Sequence, residues 1–86
     1  MKILNLLNLI IEKRITPQQL QIIALMLEKG QVTTNEIIER LNISKQSIGD
    51  KVNLMIAKDL IVRDIGDYRI YHYRLHPKVK EKFLIN

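Results

Sequence analysis

The stretch Thr33–Ile48, TTNEIIERLNISKQSI, decides the fold. Thr33 and Glu36 form a capping box, in which the hydroxyl accepts from the amide three residues on and the carboxylate accepts from the amide of the cap. Ile37, Ile38 and Leu41 then recur at helical spacing and predict the inward face of a short helix. Asn42 suits a left-handed closing position, and Ile43 is expected as a buried turn residue. Ser44 caps a longer helix running through Lys58, with Ile48, Val52 and Met55 on its core stripe. Two helices joined by a turn of about three residues make a helix-turn-helix.

Upstream, Thr16-Pro17-Gln18-Gln19 opens another helix with a hydroxyl cap, proline at the first helical position and glutamine closing a second capping box. Leu20, Ile23 and Leu27 are its predicted inner face, and Gly30 after Lys29 supplies a left-handed C-cap. Gln31-Val32 reads as a short extended link. Residues Ile3–Lys13 suit a helix whose polar Asn5, Asn8 and Glu12 fall on one narrow stripe. That leaves more apolar surface than one core contact uses, so one flank is expected against the core and the other against a second copy of the chain.

Downstream, Leu60–Ile65 and Tyr68–Leu75 are β-rich runs separated by Gly66-Asp67, the pattern of a hairpin. Tyr71, Tyr73 and Leu75 alternate onto one face, predicted inward, with Ile70, His72 and Arg74 on the other. His76-Pro77 opens a last short helix carrying Val79 and Phe83 four apart. The class is therefore α+β, mostly helical: a helix-turn-helix with a two-stranded wing and flanking terminal helices, one domain over residues 1–86. Residues 1–14 and 77–86 are the expected dimerisation helices, with Leu4, Leu7, Ile10, Ile11 and Phe83 at the interface.

The totals exclude several classes of function. A chain of 86 residues that is 47% hydrophobic and 27% charged has the composition of an ordinary folded domain, not of a disordered or membrane chain. With no cysteine, disulfides, thiolate zinc sites and thiol nucleophiles are excluded. The apolar start is too short to cross a bilayer and lacks a small-residue cleavage site, which predicts a cytoplasmic protein. His72 and His76 lie about 13 Å apart in extended chain, too far to share a metal. Ser44 and Ser47 have no base nearby. No catalytic centre, cofactor or metal is expected. Of the net charge of +5, four units come from Ile43 onward, where nine Lys/Arg face five Asp/Glu. Such an excess suits contact with phosphates, and equally a solvated surface.

This order of elements resembles the winged-helix regulators, particularly the MarR type and more loosely the ArsR type. Three segments carry the resemblance, which spans roughly Thr16 to His76. Thr34–Ile48 is similar to the family's run of threonine, helix, leucine, small turn residue, isoleucine, serine, lysine and recognition helix. Lys58-Asp59-Leu60-Ile61-Val62-Arg63 is similar to its lysine-glycine-leucine-isoleucine passage into the wing, with Asp59 in place of the usual glycine. Asp67-Tyr68-Arg69 matches its aspartate-x-arginine at the wing, and the resemblance implies a minor-groove role for Arg69.

The implied function is double-stranded DNA binding by a homodimeric transcription regulator, not an enzyme. A helix in the major groove must offer groups that bond base edges, and Gln46, Ser47, Asp50 and Asn53 are the residues expected to do so. Thr33, Ser44, Lys45, Lys51 and Arg63 are expected on the DNA backbone, with Arg69 in the minor groove. Arg40 and Lys58 read as surface charges. Gly49 removes bulk where the helix would approach the bases. Asp50 is the discordant residue, since the resembling family usually has a basic side chain there. It either accepts from a cytosine amino group or marks a protein-binding winged helix that does not touch DNA, a reading that the surplus apolar Leu54 and Ile56 also favour. Structured-RNA binding through the wing tyrosines is a third possibility.

Overall fold

A computed structural model describes residues 3–66, 68 and 70–84, with the side chains of 3, 5, 6, 83 and 84 excluded. The elements run α1 (Ile3–Lys13), α2 (Pro17–Lys29), β1 (Gln31–Thr33), α3 (Thr34–Leu41), α4 (Lys45–Ala57), β2 (Ile61–Ile65), β3 (Tyr71–Leu75) and α5 (Pro77–Leu84). Both capping boxes form as the sequence predicts. Thr16 Oγ1 accepts from the Gln19 amide while Gln19 Oε1 accepts from the Thr16 amide, and Thr33 and Glu36 repeat the exchange. Asn42 closes α3 in the left-handed region at φ 53°.

The end of α4 is a Schellman motif. Asp59 N–H donates to Ile56 O and Leu60 N–H to Met55 O, each at 3.0 Å, with Asp59 at φ 58°. Asp59 thus takes the left-handed position that glycine usually fills, which a short polar side chain tolerates better than most. Leu60 and Met55, both buried, supply the hydrophobic contact that accompanies this closure.

The core draws on every element. Leu9, Ile22, Ile23, Leu25, Met26, Val32, Ile37, Leu60, Tyr73, Leu75 and Val79 surround the stripe Ile48, Val52 and Met55 of α4. Each fully buried aliphatic side chain contributes about 1.5–3 kcal/mol of transfer free energy, so this stripe anchors α4 firmly. On α2, Ile23 is buried as expected and Leu20 half-buried, but Leu27 is 44% exposed. The helix instead buries Ile22, Leu25 and Met26, packing on α3, β1 and β3.

Three differences from expectation concern the sheet. Gln31–Thr33 is not a mere link but a strand paired antiparallel with β3, giving a three-stranded sheet of order β1-β3-β2. The hairpin loop is five residues, 66–70, closed by a bond from Gly66 N–H to Ile70 O at 2.8 Å, rather than a two-residue turn. Its length sets the register at Ile61↔Leu75, Arg63↔Tyr73 and Ile65↔Tyr71. A turn at Gly66-Asp67 would have shifted the pairing by three, and an odd shift exchanges the faces of a strand. Arg63 therefore lies on the side of Tyr71 and Tyr73 instead of the outer side. Tyr73 and Leu75 are buried, but Tyr71, near the hairpin's far end, is 44% exposed and not a core residue.

α1 and α5 pack against each other, with Leu9 and Val79 buried and Lys82 Nζ 4.0 Å from Glu12. Leu4 (66% exposed), Leu7 (49%) and Ile11 (75%) form an outward apolar stripe along α1. Ile10 is half-buried against the core, so it stands on the inner flank and not on that stripe. The side chain of Phe83 lies outside the described residues. The whole is an α+β winged helix-turn-helix, with the β2–β3 hairpin as the wing. No helix of the described residues is long and apolar enough to cross a membrane.

Candidate nucleic-acid interface

Helical periodicity puts Gln46, Gly49, Asp50 and Asn53 on the side of α4 opposite Ile48, Val52 and Met55. Gln46, Asp50 and Asn53 are exposed, and so are Ser44 and Lys45 at the helix start, while Ser47 and Lys51 are half-buried on the flanks. The aliphatic stripe is thus held by the body and the hydrophilic stripe is left open. A Cβ built on Gly49 meets no heavy atom within 4 Å, so nothing inside the protein requires glycine there.

Ser44 caps α4 with φ −72° and ψ 153°, its Oγ accepting from the Ser47 amide at 3.1 Å. Its hydroxyl proton remains free to donate, as the neighbouring amides of the first turn do. Thr33 is placed differently. Its hydroxyl donates to Glu36 Oε1 at 3.2 Å and accepts from the Glu36 amide, which leaves no donor for a phosphate. The same Glu36 carboxylate occupies the N-terminus of α3 and pairs with Lys29 Nζ at 2.7 Å. The hydrogen bond from Lys29, then that from the Thr33 backbone, hold the Glu36 carboxyl below its ordinary pKa. Of the two helix starts nominated for phosphate, only that of α4 is unoccupied by the protein's own anion.

Arg63 is also committed within the protein. Its Nη2 donates to Asn53 Oδ1 at 2.6 Å, and its guanidinium carbon lies 4.8 Å from the Tyr71 ring centroid and 5.5 Å from that of Tyr73. Nε is buried with no partner among the described residues. The sequence did not reveal this cluster, because it follows from the hairpin register. Arg69, nominated for the minor groove, lies outside the described residues. Among the described residues Asp50, Lys45 and Lys51 take part in no ion pair, and Arg40 pairs with Glu28 at 3.2 Å on the surface as a solvated charge would.

Lys58 is more than a surface charge. Its ammonium donates to Arg14 O at 2.9 Å and to Gln19 Oε1 at 3.3 Å, joining the end of α4 to the junction of α1 and α2. Gln19 is buried, and this donor together with the Thr16 amide satisfies its carbonyl. At the wing, Ile65, Tyr68 and Ile70 are exposed apolar side chains, and Tyr68 stands at φ 59°. The described residues contain no group of His, Asp and Glu able to hold a metal ion.

Comparison with known proteins bears on this geometry. Residues 15–70 match the model of the MarR family. No curated protein matches the chain. Among solved structures, the chain is similar to the YusO protein from Bacillus subtilis, with TM-score 0.76 at 23% identity over 92% of this chain and 57% of that one. It is similar to HlyU from Vibrio cholerae, with TM-score 0.72 at 18% identity over 85% and 78%. It is also similar to the adhesin competence repressor AdcR from Streptococcus pyogenes, with TM-score 0.69 at 24% identity over 91% and 62%. At these identities the structural likeness establishes the fold, and the chain spans about three fifths of the length of YusO and AdcR.

Proposed function

Since the chain belongs to the MarR family, we propose that it is a transcription regulator that binds duplex DNA as a homodimer, with α4 in the major groove and the wing against the backbone and minor groove. The observation that carries this reading is the division of α4, whose aliphatic stripe is buried while Gln46, Asp50 and Asn53 are exposed, with Asn53 touched from the wing by Arg63. Gln46, Ser47, Asp50 and Asn53 read base edges, with Asp50 accepting from a cytosine amino group. Ser44, Lys45 and Lys51 hold the phosphates, and Arg69 enters the minor groove. Thr33 drops out of the phosphate set because its hydroxyl is already engaged, and Arg63 because its guanidinium is held between Asn53 and the wing tyrosines.

The second subunit seats on the stripe Leu4, Leu7 and Ile11, apolar surface that a lone chain leaves in water. Two such subunits place their α4 helices in successive major grooves of a pseudo-palindromic site. Selection of bound sequences from a random duplex pool, followed by gel shift of Gln46→Ala and Arg69→Ala on the selected site, tests the proposal. Each variant is expected to lose about 1–3 kcal/mol of binding. Unchanged affinity for both removes the reading. The exposed Leu54 beside Asp50 favours a second reading, docking of another protein on the same face. Retention of the protein on duplex DNA that falls steeply with salt separates the two, since release of counterions is specific to phosphate contact.

A further inference from the structure

Whether Asn53 reads a base as donor, as acceptor or as both depends on which amide atom it turns outward. A free asparagine at a major-groove edge pairs with adenine, because its carbonyl accepts from N6 while its amide donates to N7. Asn53 is not free. The 2.6 Å bond from Arg63 Nη2 must end on an acceptor, since a guanidinium only donates, and this fixes Oδ1 toward the wing. The Nδ2 amino group is then the part of Asn53 left to face outward on the exposed side of α4.

Arg63 itself cannot swing away without loss. Its guanidinium carbon lies over the rings of Tyr71 and Tyr73, and its Nε is buried. The register Arg63↔Tyr73 and Ile65↔Tyr71 holds both rings in place on the same sheet face. Strand, ring pair and guanidinium thus form a rigid support for one amide on the helix.

We propose that Arg63 is a positioning residue that presents Asn53 to the duplex as a hydrogen-bond donor only, so that the base opposite Asn53 is chosen for its acceptors, guanine or thymine, and not as adenine. This rests on the seating of α4 in the major groove. Guanine offers O6 and N7 and thymine O4 with no competing donor, whereas adenine sets its N7 acceptor beside an N6 amino group that only a carbonyl can satisfy, and cytosine presents an amino group alone. The wing therefore contributes to base choice without touching a base.

The test is selection from a random duplex pool with the full chain, comparing wild type with Asn53→Ala, Asn53→Asp and Arg63→Met. Methionine keeps an apolar stem over the tyrosines and removes every donor. Wild type should disfavour adenine at one position by about five- to a hundredfold, the range set by one good base contact. Asn53→Ala should flatten that position. Asn53→Asp, which leaves Arg63 and the sheet intact, should move it to cytosine because both oxygens then accept. Arg63→Met should let the amide turn and admit adenine, with the other positions unchanged. If Arg63→Met instead weakens all sequences equally and lowers the salt slope by about one, Arg63 is a phosphate ligand and the proposal fails. An unmoved preference in Asn53→Asp overturns it equally, even if Arg63→Met does not fold. Failure of wild type to bind any duplex removes the parent reading and this one with it, whereas binding with base preference indifferent to residues 53 and 63 removes this one alone.

Discussion

Replacing Gly49 by alanine separates what the fold needs from what a bound duplex would need. Glycine inside a helix costs about 0.5–1 kcal/mol relative to alanine, because it loses more backbone freedom on folding. Gly49 sits in the second turn of α4, and a Cβ there meets no heavy atom within 4 Å, so no steric term offsets the gain. Gly49→Ala should therefore stabilise the free protein by about 0.5–1 kcal/mol, which for a domain of this size raises Tm by about 2–8 °C. The new methyl lies between Gln46 and Asn53 on the open face. With the helix seated in a major groove it would hold the backbone off the bases and lose about one base contact, or about 1–3 kcal/mol of binding. Thermal unfolding by far-UV circular dichroism reads the first effect and fluorescence anisotropy on a selected duplex the second. A variant that is less stable than wild type refutes the argument from open space. One that is more stable and binds equally well shows that the face does not lie close to DNA.

Further outcomes follow from the core, the brace at Lys58 and the pair at Glu36. Met55→Ala removes a fully buried side chain from the anchoring stripe of α4 and should cost about 2–5 kcal/mol, measured as a lowered urea midpoint with little change in slope. Lys58→Met keeps the aliphatic stem but withdraws the donor from Arg14 O and Gln19 Oε1, and about 1 kcal/mol of stability should be lost while α4 keeps its Schellman closure. Because folding lowers the Glu36 pKa, the stability it contributes is present above its ordinary carboxylate pKa and disappears as pH falls through the folded value. Glu36→Gln should accordingly show a shallower loss of stability than wild type on acidification through the carboxylate range, and an equal slope in both proteins would refute the assignment.

The helices were legible in the sequence because their signals are local. Thr16 with Gln19, Thr33 with Glu36, Ser44 and Asn42 each act over three or four residues, and the helix bounds they imply are those observed. The sheet was less so. Whether Gln31–Thr33 joins it depends on β3, about forty residues on, and no local pattern in three residues signals a partner. The hairpin was misjudged because Gly66-Asp67 has turn chemistry, whereas the loop runs on to Ile70. Those three residues decide which face of the hairpin Arg63 takes. Of the nominated base-reading residues, Gln46, Asp50 and Asn53 stand exposed on one side of α4, because side-chain direction on a helix follows from spacing alone. Leu27 was misplaced on the same logic, since α2 carries apolar residues on more than one stripe and only packing against β1 and β3 selects among them.

The brace formed by Lys58 has a mechanical implication. One ammonium ties the residue that caps the end of α4 to a carbonyl at the close of the first helix. The angle of α4 is thereby indexed to α1, whose outer stripe a neighbour would grip, as well as to the core beneath it. Order imposed at either end of this strut reduces the entropy still to be lost at the other, so a rigid grip on α1 and a snug fit of α4 would favour one another even without a visible change of shape.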